Sequence, residues 1–189
     1  MFEIICGTNR PGSRSLELCQ LLKTRYEKQG EKAQILDLRD IELSQMDENP
    51  YGDQRPDSLV QAVDRVNKAR GLVVVCPEYN GSYPGVLKYF IDHWKYPESF
   101  ESRPVCFVGL GGRFGALRPV EHLQGVFGYR NAYIFPERVF LSNIWGILKD
   151  GQINDETMDQ LLDQQTERFC RFVKGLESQG LDANTKLKG

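Results

Sequence analysis

Five apolar runs with the character of buried strands alternate with helical periods, and no other feature narrows the fold of this chain as far. The runs are Phe2–Gly7, Ala33–Leu38, Leu72–Cys76, Val105–Gly109 and Asn131–Val139. The segments between and after them take the period of a helix: Ser15–Gln29, Pro56–Arg70, Gly85–Trp94, Ala116–Phe127 and Asp155–Leu176. Cys19, Leu22 and Tyr26 make one apolar stripe, and Leu59, Val63 and Val66 another. Strands that are apolar throughout, rather than alternating, belong to a parallel sheet covered on both faces. The pattern therefore predicts a single α/β domain over residues 1–189, with the polar and basic tail 183–189 frayed. The polar stretch Ser44–Asp57, punctuated by Pro50, Gly52 and Pro56, reads as a loop that either caps a site or simply connects.

Charge and composition exclude several classes of function. A net charge of -2 supplies no bulk attraction to nucleic acid or to an anionic membrane, so neither is an expected partner. No apolar run approaches the roughly 20 residues that span a bilayer. The start, Met1–Cys6, has no basic region and no cleavage site, and the expected location is the cytoplasm. Five cysteines, none in C-x-x-C, with Cys6, Cys76 and Cys106 in apolar runs, read as reduced and buried. His93 and His122 fall on separate helices without zinc-like spacing, so no metal is expected. The aromatics Tyr129, Tyr133, Phe135, Phe140 and Trp145 read as core or subunit interface.

Three polar loops follow the first, third and fourth strands. The first is Gly7-Thr8-Asn9-Arg10-Pro11-Gly12-Ser13-Arg14-Ser15. A phosphate needs exposed N–H groups, hydroxyls and positive charge, and a turn running into a helix N-terminus with Thr8, Ser13, Ser15 and Arg10 or Arg14 supplies them. An ordinary helix cap at Ser13 or Ser15 is the competing reading. The segment fits neither G-x-x-x-x-G-K-[ST] nor G-x-G-x-x-G, and Cys6–Arg10 is C-x3-R, not the C-x5-R spacing of a cysteine phosphatase. The second loop, Pro77-Glu78-Tyr79-Asn80-Gly81-Ser82-Tyr83-Pro84-Gly85, joins a flat aromatic to an amide that donates and accepts, which suits a hydrogen-bonding ring. Its bland reading is a turn built on Gly81 and Gly85, with Glu78 a solvated carboxylate. The third loop, Gly109–Ala116, lets backbone approach a ligand at Gly111 and Gly112 and carries Arg113, which reads either as a counter-charge or as a surface cation. All three loops lie at the carboxyl end of one sheet, where open α/β sheets bind ligands.

Together these loops resemble the NADPH-dependent FMN reductase family, which includes quinone, azo-dye and chromate reductases. The family's first loop has the form G-S-x-R-x-x-S-x-[NTS], matched over Gly7–Ser15 with Thr8 in place of Ser. Its second, P-x-Y-N-x-S-x-P-G-x-L-K-N-x-[IL]-D, runs here from Pro77 to Asp92, with Tyr89 for Asn and Phe90 for a small residue. Its third, G-x-G-G-R-x-G, is Gly109–Gly115. The resemblance implies a flavodoxin-like three-layer sandwich with a five-stranded parallel sheet in the order 2-1-3-4-5. It implies non-covalent FMN, with Thr8, Arg10, Ser13 and Ser15 at the phosphate. Pro77, Glu78, Tyr79, Asn80 and Gly81 would line the isoalloxazine, and Gly111, Gly112 and Arg113 would flank it. NADPH or NADH would donate hydride, a small acceptor would take the electrons, and the flavin rather than a catalytic side chain would carry the chemistry. A homodimer or homotetramer is implied as well. Two rival expectations remain at this stage: a flavodoxin-type electron carrier, and a flavin-free interaction protein on the same fold.

Overall fold

The computed structural model of the protein describes residues 1–42 and 55–186. The expected loop at Ser44–Asp57 lies outside the described residues as far as position 54. In chain order the elements are β1 (Phe2–Cys6), α1 (Arg14–Lys28), β2 (Ala33–Asp37), α2 (Asp57–Lys68), β3 (Gly71–Pro77), α3 (Gly85–Asp92), β4 (Pro104–Leu110), α4 (Leu117–Tyr129), β5 (Tyr133–Ile134), β6 (Val139–Leu141), α5 (Ile144–Ile147), β7 (Leu148–Lys149), β8 (Gln152–Ile153), α6 (Glu156–Ser178) and α7 (Ala183–Lys186). A single 3₁₀ turn, Leu38–Asp40, follows β2.

The main sheet is parallel, in the order β2-β1-β3-β4-β5, and β6 also pairs with β4. Phe2 of β1 stands opposite Ala33 on one side and Gly71 on the other, and Leu72 of β3 opposite Val105 of β4. Every residue of β1, β3 and β4 is buried, which is why these strands read as apolar runs, broken only at Glu3. Successive side chains go to opposite faces. Ile5, Val74, Cys76 and Phe107 pack against Leu59, Val63, Phe90, Leu123 and Phe127 of α2, α3 and α4. Ile4, Val73, Val75 and Cys106 pack against Leu18, Leu22, Phe169 and Val173 of α1 and α6. The expected flavodoxin-like sandwich, helices on both faces of a parallel sheet, is the fold observed. All five cysteines are free and buried.

The fifth strand departs from the sequence expectation. Asn131–Val139 reads as one strand, but the chain makes two short ones, each parallel to β4, at Tyr133–Ile134 and Val139–Leu141. Pro136 cannot donate to a ladder, and the strand breaks there. The amide of Gln165, buried on α6, donates to the Phe107 and Glu137 carbonyls at 3.0 and 2.8 Å and bridges the gap.

The tail is also more ordered than expected at its start. Ala183–Lys186 is a helical turn. Asp182 accepts from the Asn184 and Thr185 N–H groups at 2.9 and 3.2 Å and from the Thr185 hydroxyl at 2.7 Å. The Asn184 amide donates to the Ala69 carbonyl at 3.1 Å. The Lys186 ammonium reaches the Ser102 hydroxyl at 3.0 Å. Polar residues here supply caps and partners for orphaned groups, an order that an apolar periodicity does not register.

Candidate active site

Loop one leaves β1 at Gly7, where the backbones of β1 and β3 come together. A Cβ at Gly7 would stand 2.5 Å from the Val75 carbonyl oxygen, a contact no side chain tolerates. Thr8 is buried, and its hydroxyl pairs with the Tyr79 hydroxyl at 2.8 Å while accepting from the Arg10 N–H at 3.3 Å. Ser13 caps α1, its hydroxyl accepting from the Leu16 N–H at 3.2 Å. The first-turn N–H groups of Arg14 and Ser15 lie at a helix start, where donors lack intrahelical acceptors and favour an anion. The Arg14 guanidinium pairs with Glu17 at 2.8 Å, whereas Arg10 is exposed and makes no ion pair among the described residues. Behind the loop, a hydrogen bond with Cys19 lowers the Cys6 thiol from its ordinary range, against the opposing effect of burial.

Loop two begins at Pro77 and is tied to loop three by the Glu78 N–H, which donates to the Leu110 carbonyl at 3.2 Å. Tyr79 and Ser82 then exchange both backbone hydrogen bonds, at 2.9 and 3.1 Å. Asn80 and Gly81 between them have φ of +52° and +78°, the signs of a type I′ hairpin turn. Asn-Gly is the favoured pair for this turn, and the sequence reading passed over that signal. Beyond the tip the Ser82 hydroxyl lies 3.0 Å from His122 Nδ1 on α4.

Loop three runs along the segment after β6. The Gly111 N–H donates to the Leu141 carbonyl at 3.1 Å, and the Asn143 and Ile144 N–H groups donate back to Gly112 and Gly111 at 2.7 and 3.0 Å. This zipper places Trp145 beside Gly112, whose added Cβ would meet the indole at 3.3 Å.

The three loops and Trp145 enclose a cleft of about 280 Å3. Arg10, Ser13, Ser15, Pro77, Glu78, Tyr79, Gly111 and Gly112, all candidates from the sequence, line it. Gly12, Arg14, Leu110, Ile144 and Trp145 complete the wall. Four sequence candidates stand outside that lining, each for a visible reason. The Thr8 hydroxyl is engaged in tying loop one to Tyr79. Asn80 and Gly81 form the hairpin tip. The Arg113 guanidinium lies over the Phe114 ring, 5.5 Å from its centroid. Trp145, read from the sequence as core or subunit interface, is not a core side chain: it is 63% exposed and stands on the cleft wall.

The family comparison rests on the same segments. A model of the family described as NADPH-dependent FMN reductase matches residues 2–146. The chain belongs to that family. A relative from Staphylococcus saprophyticus, an FMN-dependent NADPH-azoreductase, is 29% identical over 124 residues, covering 64% of this chain and 65% of its own length. Proteins of that same description from Staphylococcus aureus are 28% identical over the same shares. The chain thus matches just under two thirds of the length of these relatives. FerB, a flavoenzyme NAD(P)H:acceptor oxidoreductase from Paracoccus denitrificans, superposes with a TM-score of 0.73 at 22% identity over 92% of this chain and 97% of its own. RosB, solved with a bound formylated flavin phosphate, gives a TM-score of 0.78 at 15% identity, over 94% of this chain and 80% of its own. These two likenesses concern the fold.

For a chain of the FMN reductase family, the cleft fits a flavin mononucleotide on its own chemistry. Its lining offers helix-start N–H groups, hydroxyls and Arg10 for a dianionic phosphate. It also brings Tyr79, two glycines without side chains and the Trp145 indole, groups suited to a flat ring. Among the described residues no group of three His, Cys, Asp or Glu could hold a metal, and no helix is long and apolar enough to cross a membrane.

Proposed function

We propose that this protein is an FMN-dependent NAD(P)H oxidoreductase that reduces a small acceptor such as a flavin, a quinone or an azo compound. One observation carries the reading: loops from β1, β3 and β4, far apart in sequence, converge on a single cleft whose lining joins groups suited to a phosphate (Arg10, Ser13, Ser15) to Tyr79, Trp145 and two glycines. Membership of the family agrees with it.

In this reading Arg10, the Ser13 and Ser15 hydroxyls and the start of α1 hold the phosphate. Pro77, Glu78, Tyr79, Gly111 and Gly112 bound the ring, with Thr8, Asn80 and Gly81 shaping the loop that carries them. FMN held there would supply the hydride and electron chemistry between nicotinamide and acceptor, which the side chains present do not supply. The protein's part is to bind, to orient and to keep one face of the ring open. Glycines at 111 and 112 leave backbone rather than side chains along the ring. Trp145 lines the cleft from the segment that follows β6. We propose further that the protein works as a homodimer or homotetramer. The groove of about 790 Å3 between α3 and α4, with Tyr129 79% exposed beside it, is its candidate contact.

The visible spectrum tests the reading. Purified protein mixed with FMN should hold the flavin through gel filtration, and its bands should bleach on anaerobic addition of NADPH. Bands that persist with NADPH and with NADH would instead describe an electron carrier. Failure to take up FMN would overturn the enzyme reading altogether.

A further inference from the structure

Phe114, at the outer rim of loop three, carries two cations on its ring. The guanidinium of Arg113 lies 5.5 Å from its centroid and that of Arg118, on the first turn of α4, 4.8 Å. Neither arginine makes an ion pair or side-chain hydrogen bond among the described residues, and Phe114 itself is 48% exposed. Two like charges held against one ring repel each other and gain from an anion between them. A guanidinium offers two recognition elements at once: a planar face for a heteroaromatic ring and a fork of donors for phosphate oxygens. An exposed Arg–Phe–Arg group therefore suits a ligand in which a phosphate stands next to a purine. Its ring, Phe114, is two residues beyond Gly112, so within about 8 Å of the cleft wall along the chain.

We propose that Arg113 and Arg118 bind the 2′-phosphoadenosine end of NADPH, stacking on the adenine and pairing with the 2′-phosphate, and so select NADPH over NADH. The assignment rests on the reductase reading of the cleft, because the nicotinamide of the same molecule must reach it. It gives Arg113 a role at the rim in place of the flavin contact that its motif implied. An arginine near the ribose is a general means of accommodating a 2′-phosphate.

Equilibrium binding to the flavin-loaded protein tests the proposal without turnover. The probes are adenosine 2′,5′-bisphosphate, adenosine 5′-phosphate and inorganic phosphate, titrated calorimetrically. The bisphosphate should bind at least tenfold tighter than either of the others, the gain of one charged hydrogen-bonded pair. Arg118→Gln should reduce that preference, and Arg113→Gln with Arg118→Gln should abolish it. The NADPH-to-NADH ratio of kcat/KM should fall in parallel, through KM. Equal affinity of the wild type for the two adenosine probes would overturn the assignment, as would a preference that survives both substitutions. Binding of inorganic phosphate as tight as the bisphosphate would reduce the group to a general anion site and overturn the adenosine part. An FMN titration of each variant separates the two readings. If Arg118→Gln lowers FMN affinity as much as bisphosphate affinity, the arginines serve the cleft and the proposal fails. If the wild type takes up no FMN, the reductase reading fails, and the bisphosphate titration of that flavin-free protein still decides the proposal.

Discussion

Arg70 and Arg103, at the amino ends of β3 and β4, are surrounded by acceptors; Arg10 and Arg113, at the carboxyl ends of β1 and β4, are not. Arg70 pairs with Glu177 at 2.6 Å and with Glu31, which also receives Lys174 at 2.9 Å. Arg103 is fully buried and donates to the carbonyls of Ala69, Asn67 and Glu98 and to the Asn184 side chain, with burial holding its guanidinium down to about 10. Glu3, buried in β1, is met by Arg65 at 2.5 Å and by Gln34 at 2.6 Å. At the opposite end Arg10, Arg113 and Arg118 have no acidic partner among the described residues. A charge that has its partners within the fold contributes to stability. A charge placed at a cleft without one is available to a ligand, and the fold gains little from it.

The sharpest way to break this contrast is at Arg103. Arg103→Leu removes the guanidinium from the Asn67, Glu98 and Ala69 carbonyls and from Asn184 Oδ1, with only the Ala69 carbonyl keeping the Asn184 amide as a donor, which should cost about 3–5 kcal/mol and lower the melting temperature by roughly 10 °C at 2–4 °C per kcal/mol. FMN affinity, measured below the transition, should hold. A melting temperature within a few degrees of wild type would mean that the amino end is not the stabilising end. Next comes Arg10→Ala, expected to weaken FMN by about 1.5–3 kcal/mol, the worth of a charged hydrogen bond, while the flavin-free protein melts as wild type. Unchanged FMN affinity in that variant would remove Arg10 from the phosphate site. Trp145→Ala should weaken FMN less, by about 0.5–1.5 kcal/mol for a lost aromatic contact, and should raise the fluorescence of the bound flavin. If neither changes, the indole is a bystander.

The smallest expected effect is a matter of pH. Burial alone would raise the Glu31 carboxyl, but hydrogen bonds from Lys174 and Arg70 outweigh it and hold the group below its ordinary value. A depressed carboxylate contributes stability that is fully present above its unfolded value, near 4.5, and is lost as pH falls through the folded value. Glu31→Gln should therefore lower the melting temperature slightly at pH 7, by under about 1 kcal/mol in stability. The difference from wild type should shrink as pH falls below about 4.5 and vanish once it lies below the folded value. A difference that does not shrink with falling pH would show that packing, not charge, is what the substitution removes.

How much of this was legible in the sequence depended on whether a residue's role is set by pattern or by a partner distant in the chain. β1, β3 and β4 announced themselves because burial on both faces forces apolar runs, in β1 interrupted only by Glu3. The cleft residues Ser13, Ser15, Glu78, Tyr79, Gly111 and Gly112 were legible because loops at the carboxyl ends of parallel strands have one place to go. Trp145 was not, since its place follows from the hydrogen bonds that zip residues 141–144 to loop three, and no local period encodes those. The break in the fifth strand turned on Pro136, which could be read, and on Gln165, 29 residues later, which could not. The order at Asp182–Lys186 rests on side chains that satisfy groups some 80–115 residues away.

The 2.8 Å contact between the hydroxyls of Thr8 and Tyr79 has a consequence for how two parts of the cleft lining communicate. Thr8 also receives the Arg10 amide, so the segment proposed to meet a phosphate and the aromatic proposed to meet a ring share one small polar junction. Occupancy at one part that shifts this junction must alter affinity at the other, and linkage makes the influence mutual and equal in free energy. Riboflavin and inorganic phosphate, offered together, would then not bind as strangers: each would report on whether the other is present.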